Sequence, residues 1–489
     1  MNRFIITMCM AMGILSCHAQ NSKKNLDEFD AFRTEMHRDF ESFRERIMRE
    51  YIEFVKDPWK EYESVSPVPQ PKKEPIPPVV LPDDGKDTTR VESKPIVIEE
   101  VVKPQPITPQ PKPIEEIPEN DYKNCNYVNV SFYGTPVKVR FDNNEDYRIN
   151  TVSENSVAMA LKVLATEKYD NCIFDCLKAR EEYCLCDWAY LQFVQQVADE
   201  ACGKTTNEAS LLNAYILIQS GYKIRLAFSG ERLYVLYASK HSIFNKSSYF
   251  IDGDNYYGLV ELPSRLMISK ASFPKEQNIS LLIARQPNLA MNLSAKRQIL
   301  SKTFPSFRVE AQTNKNLLSF YDTYPCSYYG GNYMTQWAQY ANTPMDAQVV
   351  STVYPALRKL LEGLTEKEKV SRLLNWVQTG FTYEYDDKVW GRDRTFFSEE
   401  TLFYPYCDCE DRSVLLTRLI RDIIGLECIL IYYPGHLATA VHFTTPVTGD
   451  YISLKGKKYI VCDPTYIGAS IGMTMPEMNN SKAGVIMLD

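Results

Sequence analysis

Apolar residues recur every three or four positions from Leu26 to Phe54, at Phe29, Phe32, Met36, Phe40, Phe43, Ile47, Tyr51 and Phe54, with Arg, Glu and Asp between them. This period predicts an amphipathic helix. The larger spacing is eleven residues (Phe29, Phe40, Tyr51; Phe32, Phe43, Phe54), which keeps the stripe nearly straight. Its polar face mixes acids and bases, so the expected use is docking on the chain itself or on a second copy rather than on a membrane surface. From Pro67 to Pro118 the periodicity disappears: fourteen of the 28 prolines fall there, with no aromatic residue and no cysteine. That composition predicts a linker which, as polyproline II, would reach on the order of 160 Å at about 3.1 Å per residue.

Beyond Asn120 the chain becomes aromatic-rich. Val128 to Phe132 and Val137 to Phe141 flank Tyr133-Gly134-Thr135 and predict a hairpin. Helical periods follow over Val157–Glu167 and Ala189–Ala201, then strand-like alternation from Lys223 through Ile283, and a third region opens near Pro325. The expected organisation is a leader over 1–19, an amphipathic helix within 20–65, a linker over 66–120, an α+β domain over 121–330 and a second over 331–489.

The leader reading rests on Arg3, an apolar run from Phe4 to Leu15 and small residues near Ala19, a run too short to span a membrane. Cleavage after Ala19 competes with cleavage before Cys17 and its lipidation, because Ile14-Leu15-Ser16-Cys17 resembles a lipobox. Either outcome predicts an exported protein, periplasmic or at the cell surface, with membrane attachment through Cys17 in the second case. Without Cys9 and Cys17, eleven of the thirteen cysteines remain, an odd number that leaves at least one thiol unpaired. Cys172, Cys176, Cys184 and Cys186 are close enough for a zinc site, but outside the cytosol disulfides are the expected state. A net charge of −7 argues against nucleic-acid binding.

The chemistry concentrates in the last third. Cys407-Asp408-Cys409-Glu410-Asp411-Arg412-Ser413 opens a helical pattern closed by Gly425, followed by strands over Leu426–Tyr433, Leu437–Phe443 and Lys458–Cys462, the last ending in Asp463-Pro464-Thr465. A cysteine in a first helical turn faces unpaired backbone N–H groups and the positive end of the helix dipole. Asp408, Glu410 and Asp411 oppose this with negative charge, so an imidazolium partner is needed. His436 can supply it, and Asp463 can hold the imidazole in the right tautomer. Cys407 is a rival nucleophile or disulfide partner, and His442 a rival base.

Cys409-x-Asp411, Leu415-Leu416, Gly425, His436 and Asp463-Pro464-Thr465 resemble the transglutaminase-like superfamily, over about residues 342–472, with the helix Lys367–Gln378 and Phe381-Thr382-Tyr383 resembling its pre-catalytic elements. The resemblance implies a papain-like α+β core with Cys409 as nucleophile, His436 as base and Asp463 as orienting acid. It implies acyl transfer on a protein or peptide substrate, as hydrolysis or as cross-linking, with no cofactor and no metal. Cys407 stands where the family usually has Gly, and Ala438 where it has an aromatic residue. A catalytically silent peptide-binding protein is the competing expectation.

A shift of 204 residues lays Thr205–Gly221 on Cys409–Gly425, placing Thr205 at the cysteine position and Arg232 at the histidine position. Residues 121–330 are therefore expected to contain a degenerate copy of the same half-domain, without its chemistry.

Overall fold

The structure, a computed structural model, describes residues 49–53, 56, 59–71, 76–81, 92–120, 126–142 and 147–489. The leader, Cys17 and most of the helix expected over 26–54 lie outside these residues. Residues 49–53 are helical, with Tyr51 buried and stacked on Phe273 at 4.2 Å. No helix among the described residues is long and apolar enough to cross a membrane.

The fold is α+β. The elements that matter for the site are, in chain order, β1 (Lys60–Glu63), β2 (Pro95–Ile96), β3 (Glu100–Val102), α1 (Asn207–Gln219), β4 (Ile224–Ser229), β5 (Arg232–Ser239), β6 (Tyr249–Ile251), β7 (Asp254–Tyr257), β8 (Arg265–Ile268), α2 (Glu366–Gly380), α3 (Cys409–Leu419), β9 (Glu427–Tyr433), β10 (His436–His442), β11 (Tyr451–Leu454), β12 (Lys457–Cys462) and β13 (Gly484–Met487). The hairpin expected after Asn120 forms from Tyr127–Phe132 and Thr135–Arg140, its turn made by Tyr133 and Gly134 with φ of 43° and 76°.

Two sheets dominate. The first has the order β1-β8-β4-β5-β7-β6, the second β2-β11-β12-β10-β9-β13-β3. Without the strands donated from before residue 103, the orders become β8-β4-β5-β7-β6 and β13-β9-β10-β12-β11. These are the same permutation of five strands taken in chain order, the strand His241–Ile243 between β5 and β6 pairing instead with Ser327–Tyr329, and each set is preceded by a helix, α1 or α3, packed on its central hairpin. The ungapped shift holds at Gly221 and Gly425, both left-handed (φ 91° and 84°), and at Arg232 and His436, which both open a strand. It fails at the helix start. Caps Thr206 and Asp408 differ by 202 positions, because α3 continues into a wider π turn, Ile420–Ile424, before its glycine. Asn207, rather than Thr205, therefore occupies the first helical position.

The proline-rich segment is not a free tether where it is described. β2 pairs in parallel with β11, and β3 pairs in parallel with β13, at opposite edges of the second sheet. Ile96 and Glu100 are four residues apart, a reach of at most about 15 Å, whereas the outer strands of a flat seven-stranded sheet would stand about 29 Å apart. The sheet must curl until its edges approach, and residues 95–102 bridge them. Proline suits this position because an edge strand leaves one row of N–H groups unpaired in any case. Ile96, Val102 and Ile117 are buried, Arg180 donates to the Pro111 carbonyl at 3.2 Å, and the Lys112 carbonyl fills the space where Gly221 has no Cβ.

The disulfide expectation also fails among the described residues, where all ten cysteines are free. Cys172 and Cys176 are buried one turn apart on the helix Asp170–Glu182, Cys184 accepts from Arg285, and Cys186 immediately precedes the helix Asp187–Cys202. These four do not gather as a metal-ligand set.

Candidate active site

Helix α3 is buried along its whole length, with Cys409 and Val414 facing one core and Leu415, Leu416 and Leu419 the other. Such placement demands that its polar residues find partners. Asp408 is the N-cap: its carboxylate accepts from the Glu410 N–H at 3.1 Å, and Asp411 answers by accepting from the Asp408 N–H at 3.1 Å. The second Asp411 oxygen accepts from the Phe396 N–H at 2.8 Å. Burial, then the charges of Asp408 and Asp386, hold Asp411 well above the usual carboxylate range. Two of the three acids expected to oppose a thiolate are thus committed to capping the helix. The third, Glu410, accepts from Thr395 at 3.2 Å and from the Cys409 thiol at 3.6 Å.

His436 opens β10, and Asp463 follows the last residue of β12, the strand paired with β10. The histidine Nε2 meets the Asp463 Oδ2 at 2.8 Å, with both side chains almost fully shielded from solvent. The other Asp463 oxygen accepts from the Thr465 N–H at 2.8 Å, an Asx turn that fixes the carboxylate. His436 Nδ1 makes no hydrogen bond, and the Cys409 sulfur lies near enough to add to the upward pull on the same ring. Burial pulls the imidazole down, but the Asp463 charge and hydrogen bond, with the cysteine, lift it to about 10. Cys409, His436 and Asp463 therefore converge, with Asp463 bonded to the imidazole Nε2 and Nδ1 left open.

The rivals do not converge. Cys407 lies on a short strand, Tyr406–Cys407, in the opposite core, with its sulfur 3.8 Å from the Thr382 carbonyl and its thiol raised by burial. His442 closes β10, about 20 Å from His436 at about 3.3 Å per residue, and donates to the Lys458 carbonyl at 3.0 Å. In the first half Arg232 is exposed, and Gly258 follows β7 where Asp463 follows β12.

Two positioning residues escaped sequence reasoning. Arg412, fully buried, donates to the Phe381 carbonyl at 2.8 Å and to those of Gln378 and Pro464 at 3.3 Å each, and lies over the Tyr383 ring. Gln378, near the end of α2, donates to the carbonyls of Asp463, Tyr466 and Ala469 at 3.0, 2.8 and 3.2 Å. Together they tie α3 to the Asp463 turn. A charged residue one turn after a candidate nucleophile was the available signal, though in a helix it more often marks a solvated face. For a metal, Asp386, Asp393 and Glu410 bring one carboxylate oxygen each within 4.8 Å of one another, as do the ligand atoms of Asp408, Cys409 and Glu410.

Residues 76–81 run along the rim of this site. The Ile76 N–H donates to the carbonyl of Gly435, the neighbour of His436, and Ile467, four residues past Asp463, exchanges hydrogen bonds with Val79 and Leu81. Ile76, Val79 and Leu81 pack on Tyr466, Ala469 and Met475.

Comparison of the chain with protein-family models, with curated proteins and with solved structures returns no match.

Proposed function

We propose that residues 331–489 form a transglutaminase-like, papain-like domain performing thiol-dependent acyl transfer on a peptide or amide bond. The observation that carries this reading is the convergence of Cys409 at a helix start, His436 at a strand start and Asp463 held by an Asx turn. The cysteine sulfur attacks the carbonyl carbon, and its own N–H, unpaired in the first helical turn, stabilises the oxyanion. His436 then gives its proton to the leaving amine as the C–N bond breaks. Water attacks the acyl-cysteine, returning the thiol and releasing an acid, which makes hydrolysis the outcome; an amine in place of water gives cross-linking. The rim at Gly435 and Ile467 already pairs with an extended stretch of chain, which supports a peptide substrate presented as an extra strand. The leader expected from the sequence supports a site of action outside the cytosol, with the chain lipidated at Cys17 or free.

The burial of Cys409 and the occupied rim favour a second reading, a peptide-gripping module without turnover. Treating the full chain with iodoacetamide from pH 5 to 9 and locating the adduct by mass spectrometry separates the two. Acyl transfer expects selective alkylation of Cys409 in mildly acidic solution, abolished in His436→Ala. Equal alkylation of both proteins, or none at Cys409, favours the silent module.

A further inference from the structure

In the first half, the place equivalent to the active site is a cavity of about 170 Å³ at the start of α1. The comparison is a cavity of about 150 Å³, which holds one benzene ring, so the space suits a single side chain. Its charged lining residues are Lys204, Arg232 and Asp199, a net charge of +1, and the free N–H groups of a thirteen-residue helix open beside them. Leu191, Leu233 and Leu259 contribute apolar wall.

Two polar groups lining the cavity lack partners. Asn213 is fully buried; its Nδ2 donates to Gln195, but its Oδ1 is unpaired. Tyr237 is 1% exposed and its hydroxyl is unpaired. The corresponding positions of the second half carry no polar group: counted from the helix start Leu415 stands for Asn213, and past the π turn Val441 stands for Tyr237. The orphaned pair is therefore specific to the half that lacks the triad. Asn213 Oδ1 needs a donor, and Tyr237 can donate to an acceptor. A carboxamide presents both at one tip, while the cationic mouth suits a carboxylate.

We propose that this cavity binds an amino acid or peptide carboxyl terminus whose side chain ends in a carboxamide. The amide would enter between Asn213 and Tyr237, with the carboxylate at Lys204, Arg232 and the helix N-terminus. Isothermal titration of the full chain with N-acetyl-L-glutamine tests it. Saturable binding is expected, weakened roughly tenfold or more by Tyr237→Phe, which removes only the orphaned hydroxyl, and by Arg232→Ala at the exposed mouth. N-acetyl-L-leucine, without the amide, and N-acetyl-L-glutamine amide, without the carboxylate, are each expected to bind at least as much more weakly. Cys409→Ala is expected to bind unchanged. No binding at millimolar concentration, binding indifferent to both first-half variants, or binding lost in Cys409→Ala would each overturn the assignment; the last would move the ligand to the triad.

Discussion

Replacing Asp463 by Asn removes the charge that outweighs burial at His436. In the folded protein the imidazole is lifted from 6.5 to about 10, with burial pulling down and Asp463 the largest upward influence. A group whose pKa rises on folding stabilises the fold fully below its unfolded value, here about pH 6.5, and loses that contribution as pH climbs toward 10. At about 1.36 kcal/mol per tenfold change in proton affinity the whole effect is about 5 kcal/mol, a large part of a domain's net stability. Asp463→Asn leaves burial dominant, so the imidazole no longer holds its proton and the dependence between pH 6.5 and 10 disappears. Urea unfolding of both proteins at several pH values in this window measures it, the difference between the two curves cancelling every other titrating group. The wild type should lose stability relative to the variant as pH rises, by at most about 1.4 kcal/mol per pH unit for one proton. Parallel curves would refute the assignment of His436 as an imidazolium held by Asp463.

Arg412→Met strands three buried carbonyls, at about 1 to 3 kcal/mol each; a lowered unfolding midpoint with slower alkylation of Cys409 is expected, and Arg412→Lys, which cannot reach all three with one ammonium, should restore neither. Gly221→Ala meets the Lys112 carbonyl 2.0 Å from the new Cβ in a left-handed backbone, so limited proteolysis should cut residues 104–118 faster in the variant. Cys407→Ala and His442→Ala should leave the alkylation of Cys409 unchanged, because neither side chain approaches His436; loss of labelling in either would reopen the choice of nucleophile or base.

The candidate triad was legible because its parts sit at element boundaries: a capped helix start, a strand start after Pro434-Gly435, and a turn after a third strand. What holds the triad was not. Arg412 and Gln378 act on carbonyls 31 to 91 positions away, and nothing in their local pattern distinguishes them from solvent-facing residues. The segment 66–120 misled for a physical reason: proline signals a missing N–H, and an edge strand can spare one, so the composition of a tether also suits an edge. Counting cysteines addressed the compartment and not distance, and the thiols of Cys172 and Cys176 are simply packed. The likeness of the two halves showed through Gly221 and Arg232, while their shared strand order is a property of pairing that no local window contains.

Residues 95–102 have a kinetic consequence as well as a structural one. The partners of β3 lie 384 positions later in the chain, since Val102 pairs with Ile486, so the second sheet cannot finish curling until the final strand has been synthesised. Contacts of such sequence separation slow folding because a long loop must close before they return any free energy. Until then the two edge strands wait unpaired, and Pro95 in β2 with Pro104 just beyond β3, poor templates for another strand, guard them against joining a neighbouring chain.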